Sequence, residues 1–93
     1  MSSVNEEIKS LRAEIDRLDQ EILKFLKKRI RITEKIGKIK KTNSSDILDK
    51  QRESEILSTL LEAGENLKIE DDFIISLWRQ IIDYSHKVQK DCE

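Results

Sequence analysis

Ten positions in the first half of this chain follow one another at intervals of three and four residues: Ile8, Leu11, Ile15, Leu18, Ile22, Phe25, Arg29, Ile32, Ile36 and Ile39. That spacing lines up side chains on one face of an α-helix, and when it persists it is the heptad pattern of helices that pack along their whole length. Arg29 alone interrupts the apolar run. Between Asn5 and Lys41 nothing opposes a helix except Gly37, at a cost of about 1 kcal/mol relative to alanine. The pattern predicts a first helix over about residues 5–41, ended by the turn- and cap-forming run Thr42-Asn43-Ser44-Ser45. Such a helix is roughly 54 Å long, whereas a compact domain of this chain length has a radius of gyration of about 12 Å. The helix overhangs any core the chain can build, so its stripe needs a partner, and a homodimer with the long helices paired is the economical answer. Parallel and antiparallel pairings both satisfy the pattern.

The remainder reads as two shorter helices. One spans about residues 47–63, with Ile56, Leu57, Leu60 and Leu61 as its apolar stripe and Gly64 as the residue that closes it in the left-handed conformation. The other spans about residues 70–91, with a stripe of Ile74, Leu77, Trp78, Ile81, Ile82, Ser85 and Val88. Asp71 and Asp72 put negative charge in its first turn, and Ile69 and Ile74 stand at hydrophobic-staple positions. The chain has no proline, two glycines, 40% charged residues and four aromatic side chains, Phe25, Phe73, Trp78 and Tyr84. No strand alternation or hairpin signal appears. The expectation is an all-α fold of three helices in one domain, 1–93.

Charge and cysteine content narrow the function. With a net charge of −1, the chain is not a nucleic-acid binder on charge alone. The stretch Lys24–Lys41 holds nine cations and one acid, but most of these cations lie off the heptad stripe and fit a solvated face. A lone cysteine, Cys92, cannot form an internal disulfide, which points to a reducing cytoplasm. No leader peptide and no membrane-spanning run are expected. His86 stands off its helix stripe and reads as solvated, and Trp78 reads as core.

Each helix offers an apolar face that turns polar at one end. On the first, Arg29 and Lys40 are eleven residues apart, about 20° around the axis and about 16 Å along it. On the second, Asp49, Arg52 and Glu53 continue the stripe of Ile56 and Leu60; on the third, Ser85 and Gln89 extend that of Trp78 and Ile81. Where those ends meet, they line a polar cavity. Buried charges need partners, and the carboxylates of a small ligand would pair several cations at once. An internal network, Arg52 with Asp49 and Arg29 with Glu53, would satisfy the same charges without a ligand.

These residues also carry a resemblance. Leu11-Arg12-Ala13-Glu14-Ile15-Asp16-Arg17-Leu18-Asp19 is similar to the opening L-R-x-x-I-x-x-L-D of the all-helical chorismate mutases. Lys28-Arg29 followed by Ile36-Gly37-Lys38-Ile39-Lys40 resembles their R…V-G-x-x-K run, Asp49-Lys50-Gln51-Arg52-Glu53 their D-x-x-R-E, and Ile81-Ile82-Asp83-Tyr84-Ser85-His86-Lys87-Val88-Gln89 their I-I-x-x-S-x-x-x-Q. No one motif is specific; all of them in order, with helix breaks between, are.

The resemblance implies a stand-alone enzyme that rearranges the dicarboxylate chorismate to prephenate, in phenylalanine and tyrosine biosynthesis, without metal or other cofactor. It implies an intertwined antiparallel homodimer in which Arg12 binds a substrate carboxylate in the partner's site. Arg29 would bind a carboxylate from the site's own chain, and Lys40 the ether oxygen and a carboxylate. Asp49, Arg52 and Glu53 would order the substrate, Ser85 would support the ring carboxylate, and Gln89 would donate to the ether oxygen. Helix geometry agrees on Arg12: it is about 25 Å along the axis from Arg29 and about 100° around it. It cannot reach the Arg29–Lys40 region of its own helix, but it can reach that of an antiparallel partner. Two other readings compete. Isochorismate-pyruvate lyase shares the scaffold, Arg12, Arg29 and Gln89, although Asp49 and Ser85 fit the mutase pattern better. A non-enzymatic dimeric module could use the Lys24–Lys41 stretch to hold an acidic partner.

Overall fold

The computed structural model describes residues 3–43 and 49–91, which form three helices: α1 (Ser3–Thr42), α2 (Lys50–Leu67) and α3 (Asp71–Lys90). Among the described residues there is no strand. The chain divides into two compact units, Met1–Ile32 and Thr33–Glu93.

The first unit is helix throughout its described length, and its apolar stripe is open. Ile8, Leu11, Ile15, Leu18, Ile22 and Phe25 are all exposed, Phe25 at 63%. Local pairs decorate the same surface: Lys24 Nζ lies 3.3 Å from Glu21 Oε1, and the Lys28 ammonium sits 5.3 Å from the centre of the Phe25 ring.

The second unit has a core. α2 packs on α3, and the sealed side chains are Ile74 and Ile82, 5% and 2% exposed. Ile56, Leu57, Leu60 and Leu61 of α2, and Trp78, Ile81 and Val88 of α3, are half-buried around them. Leu77, expected in the α3 stripe, is instead exposed. It lies three residues from both Ile74 and residue 80, on the flank of a stripe whose centre runs through Ile74, Trp78 and Ile82. The α1 residues of this unit contribute the buried Thr33 and Gly37.

Both ends of α2 differ from the sequence expectation. Asp49 is the N-cap: its extended backbone (φ −131°, ψ 94°) aims the carboxylate Oδ1 at the Arg52 backbone N–H, 2.9 Å away. The described helix therefore begins at Lys50; Ile47 lies outside the described residues, as do Ser44 and Ser45. At the other end, α2 does not stop at Gly64 but runs to Leu67. The left-handed closing residue is Lys68 (φ 58°, ψ 41°), with Ile69 N–H donating to Gly64 C=O at 2.9 Å and Lys68 N–H to Glu65 C=O at 3.2 Å. These are the two bonds of a Schellman motif. Gly64 is needed for a different reason: a Cβ there would run into the Ile74 Cδ1 methyl group. The glycine lets α3 approach, while Lys68 takes the left-handed geometry at a cost of roughly 1 kcal/mol.

The other boundaries follow their local chemistry. Thr42 Oγ1 donates to the Lys38 carbonyl and the Asn43 side-chain amide to that of Ile39, each at 2.9 Å. Glu70 is the N-cap of α3, which places Ile69 and Ile74 at the staple positions. No described helix is long and apolar enough to cross a membrane.

Candidate active site

The polar end of the second unit is built around Gln89. It lies in the last turn of α3, only 8% exposed, and its Oε1 is sealed from solvent with no hydrogen-bond partner. A buried amide oxygen left this way costs roughly 1–3 kcal/mol, which a ligand group can recover. Because rotating the amide exchanges its oxygen and its NH2, the position can present either an acceptor or a donor.

Ser85 stands one turn earlier on α3, half-buried, with its hydroxyl donating to the Ile81 carbonyl at 2.9 Å. Glu53, one turn into α2, is drawn inward; its side chain is 19% exposed and its Oε1 lies 3.8 Å from His86 Nε2. His86, expected to be solvated, is only 21% exposed. It follows Ile82 by four residues, so it shares the side of α3 that meets α2, and an attractive contact with the carboxylate results whenever Nε2 carries a proton. From α1, Lys40 is half-buried and follows Thr33 and Gly37 on the same face. Polar side chains of all three helices thus occur in one unit.

Other expected site residues are exposed or belong to the unit Met1–Ile32. Asp49 and Arg52 are exposed. The Asp49 carboxylate caps α2, and the Arg52 guanidinium lies 3.7 Å from Glu55 on the surface. The anticipated Arg52–Asp49 contact is therefore made by the Arg52 backbone N–H. Arg12 is exposed and Arg29 half-buried, both in the unit Met1–Ile32. Among the described residues no group of three His, Cys, Asp or Glu side chains could hold a metal ion. Sequence reasoning missed His86 and the buried Thr33. Thr33 was readable from spacing, four and seven residues before Gly37 and Lys40; His86, four after Ile82, shares the side of α3 that meets α2, but its contact with Glu53 depends on how the two helices cross.

A family model for chorismate mutase type II matches residues 11–90. The chain belongs to that family. It is 33% identical over 88 residues to the bifunctional chorismate mutase/prephenate dehydratase of Aquifex aeolicus, covering 91% of this chain and 24% of that protein. To the T-protein of Haemophilus influenzae it is 31% identical over 84 residues, 90% of this chain and 22% of the relative. To the intracellular chorismate mutase of Mycobacterium tuberculosis strain H37Rv it is 39% identical over 62 residues, 67% of this chain and 59% of the relative. The chain thus spans about a quarter of the length of the bifunctional relative. The matched segment contains every site residue named above, from Arg12 to Gln89.

Proposed function

We propose that this chain is a chorismate mutase, converting chorismate to prephenate by a pericyclic rearrangement. The observation that carries the reading is the buried Gln89 side chain, whose amide oxygen has no partner, at the position that the family pattern reserves for a hydrogen bond to the substrate. In this reaction one carbon–oxygen bond breaks as one carbon–carbon bond forms within a single molecule, so no group leaves and no electron is exchanged. The protein must hold the substrate with its side chain folded over the ring and aim donors at the ether oxygen as negative charge builds there.

Lys40 and Gln89 are the donors in this reading. Arg29 and the partner's Arg12 hold the carboxylates, Glu53 orders the ring hydroxyl, and Ser85 supports the ring carboxylate. Arg52 contributes positive charge near the rim. Asp49 sets the start of α2 and thereby the facing of Glu53, and in this reading its carboxylate joins Glu53 near the ring hydroxyl. An amide donor needs no protonation, so turnover stays level between about pH 5 and pH 9, where free carboxylates and lysines keep their usual charges.

The reading includes an intertwined antiparallel homodimer. Its support is the apolar stripe of α1, open from Ile8 to Ile39 in the single chain, and the placement of Arg12 too far along the helix to serve its own Arg29 and Lys40. The setting is the cytoplasm, in keeping with a single cysteine.

The test is loss of chorismate in the presence of the purified chain and of Lys40→Ala. The wild type should consume chorismate and form prephenate, and Lys40→Ala should lower turnover by about 10²–10³-fold. A wild type that leaves chorismate untouched contradicts the proposal.

A further inference from the structure

Between α2 and α3 stands a contact of which the proposed chemistry uses only one half. Glu53 Oε1 lies 3.8 Å from His86 Nε2, and the two side chains are 19% and 21% exposed. A carboxylate drawn this far in needs a partner. Glu53 comes four residues after Asp49, the N-cap of α2; His86 comes four after Ile82 and three before Gln89. The imidazole therefore shares its side of α3 with the sealed Ile82 and the buried Gln89. The pair joins the first turn of α2 to the face of α3 that carries the amide proposed to meet the substrate.

The two groups are not equivalent. A carboxylate only accepts, through two oxygens, whereas an imidazole donates from Nε2 when it is charged and also in the neutral form that carries its proton there. His86 can hold Oε1 in both charge states, in keeping with level turnover between about pH 5 and pH 9. At 3.8 Å the two atoms are about 1 Å beyond hydrogen-bond length, a gap that a small turn of either side chain closes. With Oε1 held, Oε2 is the oxygen left to accept from a ligand hydroxyl, and a side chain otherwise rich in rotamers is confined to one.

We propose that His86 is a positioning residue: it fixes the Glu53 carboxylate with one oxygen directed to the ring hydroxyl of the substrate. This rests on the chorismate reading above and adds to it a residue that does not touch the reacting atoms. The ring hydroxyl keeps its proton and its charge throughout the rearrangement. A group that orders it binds substrate and transition state equally, so its loss raises KM and leaves kcat as it was. His86 sets the preference for a hydroxylated ring, while Lys40 and Gln89 set the rate.

The test is steady-state kinetics of the full chain on chorismate, with an analogue lacking the ring hydroxyl as competitor and the urea midpoint of each variant measured alongside. His86→Leu keeps bulk and removes the donor. It should raise KM for chorismate about ten-fold, the size of a partly lost hydrogen bond to a charged group, with kcat unchanged and the inhibition constant of the analogue unchanged. His86→Gln, which carries an N–H near the place of Nε2, should bring KM most of the way back. Glu53→Gln combined with His86→Leu should raise KM no further than Glu53→Gln alone, because both act through one contact. Should His86→Leu fail to fold, His86→Asn, polar but too short to reach Oε1, takes its place with the same expected rise. An unchanged KM, or an equal weakening of chorismate and of the analogue, overturns the positioning role and leaves the mutase reading standing. A wild type that consumes no chorismate overturns both.

Discussion

Residues 1–32 and residues 33–93 solve the burial problem in opposite ways. In the second unit α2 and α3 cover one another, sealing Ile74 and Ile82 to 5% and 2% exposure. In the first, a helix with an equally regular apolar stripe leaves Leu18 61% and Ile22 55% exposed. The difference teaches that periodicity specifies a helix and the face it will bury, but not where the covering surface comes from. In the second unit that surface is a few residues away along the same chain, across the Lys68 turn. In the first, the proposed homodimer supplies it from another copy.

Perturbing the two regions should therefore give different signatures. Ile82→Ala removes buried methyl groups from the self-contained core and should cost about 2–5 kcal/mol, read as a lower urea midpoint at fixed protein concentration. A cost below about 1 kcal/mol would mean that α2 and α3 are not the core of that unit. Ile22→Glu puts a carboxylate into the proposed interface at its centre. It should weaken the dimer by at least a hundred-fold, equivalent to about 3 kcal/mol of uncompensated burial, seen as dissociation on dilution in light scattering. If Ile22→Glu leaves assembly unchanged, the open stripe has another purpose.

A smaller effect sharpens the role of Asp49, which the sequence suggests as a substrate residue and the structure shows as the cap of α2. Asp49→Ala should cost about 1 kcal/mol of stability, whereas Asp49→Asn should cost almost none, since asparagine caps equally well. If the carboxylate also meets substrate, Asp49→Asn will raise KM several-fold at unchanged stability. An unaltered KM would reduce Asp49 to its cap.

The legibility of this fold follows the same division. α1 was readable almost to the residue, because its stripe is long and Thr42 and Asn43 mark its end. The ends of α2 were not. Gly64 looked like a helix stop because glycine favours the left-handed geometry, yet close contact with Ile74 was the stronger demand on that position. The turn fell to Lys68, a residue with no such signature. Of the proposed site, Gln89, Ser85, Glu53 and Lys40 were legible as polar residues continuing apolar stripes, and all four are buried or half-buried. The inward turn of His86 toward Glu53 depends on how α2 and α3 cross, which neither helix encodes alone.

The central claim is that the site is completed by Arg12 of a second chain, and mixing two inactive variants tests it most directly. Arg12→Ala and Lys40→Ala homodimers each lack an intact site. After dissociation and reassociation, half of the dimers are mixed, and each mixed dimer carries one site with both residues. Chorismate turnover should rise from near zero to about a quarter of the wild-type value. No recovery, with mixed dimers demonstrated by native mass spectrometry, would contradict the shared site.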